Sequence, residues 1–185
     1  MDPVDYRLKL LRGQPRATKI VETVAEMSNW GNTPEGYCLG VAYIDYKSQV
    51  VAVVDVTVNS QSGAIKVHNA WIAIDCGLAV QPDNVVAQQM GCTVYGLGLA
   101  LSESISMDQG IVEQTNFHNY RIPRNSDVPN IEIEIVHTQN PPSGAGQMAT
   151  PLIAPTIPNT VAAAIGVGLR HMPMTPERVL EALNA

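Results

Sequence analysis

The sequence predicts an α+β fold, with hairpins packed against a long glycine-bearing helix and helical ends, and three observations carry that reading. Segments at 37–45, 49–58, 65–74 and 131–135 are rich in β-branched and aromatic residues and are bounded by turn residues. A helical period runs uninterrupted from Asp83 to Glu103, a length no ordinary strand reaches. Shorter helical patterns stand at both ends of the chain.

Residues 1–30 form an N-terminal helical segment. Tyr6 to Leu11 makes a short turn and Gly13-Gln14-Pro15 breaks it; Ile20, Val21, Val24 and Met27 then make one apolar stripe opposite Glu22 and Glu26. Gly31 to Gly36 is the exit turn, and the body of the fold occupies 31–185. In the second strand Ala52, Val54, Val56 and Val58 share one face while Asp55 and Thr57 take the other. Asn59-Ser60-Gln61-Ser62-Gly63 turns the chain back into Ile65 to Ile74, which makes a hairpin.

Along the long helix, Val86, Met90, Val94, Leu97 and Leu101 predict the core stripe. A second sector carries Gln88, Gly91, Tyr95 and Gly98, nearly bare of side chains with one amide at its N-terminal end. Glycine in a helix interior costs about 1 kcal/mol relative to alanine. Such a strip serves either close packing of another element or close approach of a ligand. Ser104 to Gln114 predicts a second hairpin around Asp108-Gln109-Gly110, and Ile131, Ile133 and Ile135 alternate with Glu132 and Glu134 as a strand with one wet face. From Thr138 to Leu169, 32 consecutive positions carry no charge, five being Pro and four Gly; so apolar a segment must be covered by other protein or line a site. Ala162 to Ile165 reads as the end of a buried helix, and Thr175-Pro176 opens a last short one.

Composition narrows the function classes. The net charge is -6, from 11 Lys plus Arg against 17 Asp plus Glu, with no basic cluster, which argues against a nucleic-acid partner. No apolar run approaches the roughly 20 residues of a membrane span. Met1 to Asp5 lacks the features of a secretory leader, so the cytoplasm is the favoured compartment, with the periplasm left open. Cys38, Cys76 and Cys92 are odd in number and not clustered, and His68, His118, His137 and His171 lack metal-ligand spacing, so no residue is read as a metal ligand.

Gly144-Ala145-Gly146-Gln147-Met148-Ala149 fits the dinucleotide fingerprint G-x-G-x-x-G/A, but its context refuses that reading. Pro151, Pro155 and Pro158 interrupt the helix expected next, and no acidic residue follows about 20 positions on. What survives is local: two glycines in an uncharged loop expose backbone N–H groups, a nest suited to an anionic or strongly polar ligand.

Several segments in order resemble one family. They are Ile74-Asp75-Cys76-Gly77, Pro82, Gln88-Gln89-Met90-Gly91 running into Gly96-Leu97-Gly98-Leu99, Asn116-Phe117-His118-Asn119-Tyr120, Pro141 to Gly146, and Thr150 to Pro155. Together they look like the C-terminal part of the molybdenum-binding subunit of the xanthine dehydrogenase and aldehyde oxidase family, closest to the isoquinoline 1-oxidoreductase β-subunit type. The resemblance implies that 31–185 is a C-terminal portion of a molybdopterin-binding domain. It implies that Gln88 contacts the molybdopterin cofactor and that Gly144, Ala145 and Gly146 close over the molybdenum. The substrate would be an aldehyde or N-heteroaromatic carbon that gains oxygen from water. The remainder of the molybdenum-binding subunit completes the cofactor site, and iron–sulfur clusters are expected on a small partner subunit.

At the next position the family carries a glutamate general base, and this chain carries Gln147. An amide hydrogen-bonds but has no titratable group near neutral pH. General-base contributions run to about 10² to 10⁴ in rate, so Gln147 predicts a weakened hydroxylation centre. The competing expectation is a degenerate or split domain that keeps only a structural or interaction role. In either case the isolated chain is not expected to be active.

Overall fold

The computed structural model describes residues 1–184. Two helices, α1 (Pro3–Leu10) and α2 (Pro15–Met27), precede three antiparallel strands: β1 (Cys38–Asp45), β2 (Gln49–Val58) and β3 (Ile65–Asp75). The long helix α3 (Pro82–Leu101) follows, then a two-strand hairpin, β4 (Met107–Asp108) and β5 (Ile111–Val112). The strand β6 (Asn130–Ile135) returns to the main sheet beside β3 and runs parallel to it, giving the order β1-β2-β3-β6. Helices α4 (Thr150–Ile165) and α5 (Pro176–Leu183) complete the chain.

The sheet lies between two helical layers, because β2 and its neighbours bury both faces. Val50, Ala52, Val54 and Val56 point toward α3 and α4, joined by Ile72, Ile74, Leu97, Ile153 and Ile157. Val51, Val53 and Ala73 point the other way, onto Ile20, Val21 and Val24 of α2. A strand buried on both faces reads as a continuous apolar run rather than an alternation, and Val50–Val54 is such a run. Even Asp55, on the face assigned to polar residues, is buried; it accepts hydrogen bonds from the backbone and side-chain amides of Asn69 at 2.6 and 2.8 Å.

Two expectations change. The buried residues of α3 are Gln89, Cys92, Thr93, Gly96, Leu97, Gly98 and Ala100, whereas Met90 is 40% exposed. The helix is rotated from the stripe that hydropathy alone selects, because Gln89 and Thr93 find hydrogen-bond partners and are therefore admitted to the interior. The uncharged stretch is also more regular than its prolines predict: α4 runs 16 residues from Thr150 with Pro155 and Pro158 inside it. Pro151 falls in the first turn, where its missing N–H costs nothing. Leu152, Ile153, Ile157 and Val161 are fully buried against the sheet and α3, and that packing outweighs the intrinsic cost of the two internal prolines.

Candidate functional site

The parallel pairing of β3 with β6 sets the geometry. Both strands end at the same edge of the sheet, so the segment after β3 (76–81) and the segment after β6 (136–149) leave side by side. They are stitched together: the Leu78 amide donates to the Asn140 carbonyl at 2.9 Å and the Ser143 amide to the Cys76 carbonyl at 2.8 Å. Gly77, at φ +72°, sits so near Pro141 that a Cβ would overlap the Pro141 carbonyl oxygen, which only glycine at this position avoids. Both loops then enter helices, α3 at Pro82 and α4 at Thr150, whose N-termini share this edge.

Asp75, fully buried at the end of β3, fixes the base of the two loops. Its carboxylate accepts from the Arg16 guanidinium at 2.7 Å, the Gly77 amide at 2.9 Å and the Thr138 hydroxyl at 3.0 Å. Burial pushes its pKa upward, but the Arg16, Gly77 and Thr138 donors outweigh it and hold the carboxyl below its ordinary value.

The glycine loop is held by its carbonyls. The Ser48 hydroxyl, from the β1–β2 turn, donates to the Gly144 carbonyl at 2.6 Å. The Gln89 side-chain amide donates to the Ala145 carbonyl at 2.5 Å. The Gly146 carbonyl accepts from the Gln88 side-chain amide and from the Cys92 thiol, the latter at 3.3 Å. In a trans peptide the C=O and the following N–H point in opposite directions. The N–H groups of Ala145, Gly146 and Gln147 therefore each point away from the group that holds the preceding carbonyl. Among the described residues none accepts these three hydrogens.

The predicted site residues thus meet. Gln88 and Gly146, 58 positions apart, are in direct hydrogen-bonded contact. Gln88, Gly144, Gly146 and Gln147 are exposed and Ala145 half-buried. Nothing lies within 4 Å of the place a Cβ would occupy on Gly91 or Gly146. The bare strip on α3 thus divides: Gly91 faces open space beside Gln88, while Gly98 packs against Glu103 and Pro123. Gln89, a buried polar side chain beside the predicted Gln88, is the residue that sequence reasoning passed over. Its signal was weak, an amide in a helix position that hydropathy assigns to the surface.

The wall so formed is open. A cleft of about 600 Å³ lies elsewhere, lined by Lys66, Leu97, Leu101, Arg121 and Met174. Among the described residues no group of His, Cys, Asp or Glu is placed to hold a metal ion, and no helix is long and apolar enough to cross a membrane.

Residues 16–129 match the family described as the molybdopterin cofactor-binding domain. The chain belongs to that family. Isoquinoline 1-oxidoreductase subunit beta from Brevundimonas diminuta is 38% identical over 180 residues, covering 95% of this chain and 23% of that protein. Membrane-bound aldehyde dehydrogenase (pyrroloquinoline-quinone) from Gluconacetobacter polyoxogenes is 30% identical over 204 residues, covering 99% of this chain and 26% of that protein. The crystal structure of quinoline 2-oxidoreductase from Pseudomonas putida 86 superposes with a TM-score of 0.70 at 25% identity, over 74% of this chain and 19% of that one. This molybdopterin cofactor-binding domain therefore spans about a quarter of the length of the curated relatives it matches.

The wall fits a pterin cofactor. Outward N–H groups of Ala145, Gly146 and Gln147 are donors for anionic or carbonyl oxygens, and the Oε1 of Gln88, whose nitrogen is spent on Gly146, is an acceptor. The absence of side chains at Gly91 and Gly146 lets a flat, polar group approach the backbone.

Proposed function

We propose that this domain forms one wall of the cofactor and substrate site in the large subunit of a molybdenum hydroxylase, one that oxidises an aldehyde or N-heteroaromatic carbon with oxygen from water. The observation that carries the proposal is the joining of Gln88 to Gly146 in a single surface that presents backbone donors outward. The molybdenum cofactor, when bound, would supply the two-electron redox chemistry.

The chain's own residues bind and orient. The amides of Ala145 and Gly146 and the Oε1 of Gln88 hold the cofactor, and Gln147, exposed at the lip of the loop, faces the substrate. Gln147 can donate a hydrogen bond through Nε2 and accept one through Oε1, so it orients a substrate carbonyl or ring nitrogen; it holds no proton for exchange near neutral pH. Two partners follow from this reading: the remainder of the molybdenum-binding subunit, which completes the site, and a small iron–sulfur subunit, which takes the electrons.

Gln147 also favours a second reading, a degenerate or split domain that keeps the fold and its contacts without chemistry. The test compares the complex purified from its source with its Gln147→Glu variant, measuring molybdenum content and substrate-dependent dye reduction. A weakened enzyme holds molybdenum in both forms and gains about 10²- to 10⁴-fold in turnover when the base is restored. Molybdenum without turnover in either form supports the non-catalytic reading, and no molybdenum in either form overturns the cofactor assignment.

A further inference from the structure

We infer that Gln89 is a positioning residue of this site, a buried clamp that sets the middle peptide plane of the glycine loop so that its N–H faces the cofactor. The inference rests on the function proposed above. Gln89 is fully buried, and an amide removed from water is destabilising unless both its ends are paired. Both are: Nε2 donates to the Ala145 carbonyl at 2.5 Å, and Oε1 accepts the Ala149 amide at 3.2 Å. One side chain thereby grips the loop on both sides of Gly146 and Gln147.

The other contacts to this loop are weaker or reach one end of it only; the buried Cys92 gives the Gly146 carbonyl no more than a thiol donor. Gln88 is at the surface, where water competes for its hydrogen bond to the Gly146 carbonyl, and Ser48 reaches only the Gly144 end. Gln89 holds the central plane, the one whose N–H belongs to Gly146. If that plane were released, the Ala145 carbonyl could swing outward and replace a donor with an acceptor in the middle of an anion-binding nest. Both hydrogen-bond partners of Gln89 are backbone groups, so the native clamp has no titratable member.

That last property supplies a test in which a space-filling role and a clamping role part company. In Gln89→Glu the protonated acid reproduces the amide, with its O–H donating to the Ala145 carbonyl and its C=O accepting from Ala149; the ionised acid accepts only and repels the Ala145 carbonyl. Burial raises the pKa of the introduced carboxyl. In Gln89→Met the volume is kept and both hydrogen bonds are lost.

Molybdenum content and amide hydrogen exchange of the peptide spanning 145–152 are to be measured on the purified complex across a pH series. Exchange is to be corrected for its intrinsic pH dependence. The clamp predicts that Gln89→Glu matches the native complex below the pKa of its carboxyl. Above it, exchange rises about 10²-fold and molybdenum is lost, a factor equivalent to about 2.7 kcal/mol. Gln89→Met behaves in the same way at every pH, and the native complex shows no such transition. The inference is overturned if Gln89→Met keeps native protection and native molybdenum, or if Gln89→Glu follows the native complex at all pH values. A native complex without molybdenum defeats the cofactor reading by itself, and hydrogen exchange in the same samples still decides whether Gln89 clamps the loop.

Discussion

The two ends of α3 solve opposite problems. At the N-terminal end, side chains of the helix reach across to a neighbouring loop: Gln88, Gln89 and Cys92 all donate to its carbonyls, and Asp75 secures the base of the same loops. At the C-terminal end, the β4–β5 hairpin bonds mainly to itself. The Ser106 amide donates to Gln114 at 2.7 Å, Asn119 bridges 113 to 116, and Tyr120 donates to Glu103 at 2.8 Å. Meanwhile Ile105, Met107, Ile111 and Phe117 stand 55 to 76% exposed. Polar groups turned inward fix a backbone so that its donors can face a ligand. Apolar groups turned outward leave uncovered area of the kind that promotes association. The first end suits the polar ligand proposed above, and the second leaves its apolar side chains uncovered.

The N-terminal end depends on α4, whose first turn carries the end of the glycine loop, so the largest effect is expected there. Ile153 is fully buried beneath Gly96 of α3, close enough that a Cβ on Gly96 would press into it at 2.8 Å. Ile153→Ala removes three buried carbons at a contact too tight to collapse, and should destabilise the purified chain by about 3 kcal/mol in urea titration. A cost below about 1 kcal/mol would show that α4 and α3 can close the gap and that the helix pair is less rigid than its packing implies.

Asp75→Asn tests the base of the loops with a smaller effect. The exposed Arg16 side of the pair contributes little, but the buried carboxylate also loses its charge-assisted bonds to Gly77 and Thr138. The expected loss is about 2 kcal/mol at neutral pH. Because the folded-state pKa of Asp75 is depressed, its contribution is complete above the unfolded value of about 3.9 and disappears as pH falls through the folded value. The native chain and the variant should therefore begin to converge in stability only below about pH 4 and meet once pH has fallen past the depressed folded value. A difference that persists unchanged into strong acid would mean that the charge of Asp75 is not what holds the loops.

The contrast between the two ends also governs what could be read from sequence. Strands β1 to β3, the hairpin at 107–112, β6 and α3 were legible because each is announced locally, by β-branched runs, by Asp108-Gln109-Gly110 or by helical period. Gln88 and the glycine loop were legible as a pair through the family resemblance and the bare strip beside Gln88, and they do meet. What stayed hidden was non-local. Nothing in Ile131 to Ile135 says that it pairs parallel with β3, yet that pairing brings the two loops to one edge. Pro155 and Pro158 argued against a helix that tertiary burial then imposed. Gln89 escaped notice because a polar residue is admitted to a core only by its partners, and those lie 56 and 60 residues away.

The C-terminal end offers the subtlest prediction, since its residues do little for the fold. Ile111 and Phe117, at 73 and 76% exposure, have little area left to lose, so Ile111→Ser with Phe117→Ser should alter the free energy of unfolding by no more than about 0.5 kcal/mol. Association should respond far more. In sedimentation velocity the native chain, purified alone, should self-associate through the apolar surface of the hairpin end, and the double variant should shift toward monomer. Unchanged association in the variant would move the sticky surface away from the hairpin, toward Tyr95 and Leu99 on the open face of α3, and the two ends of the helix would no longer divide binding from packing so cleanly.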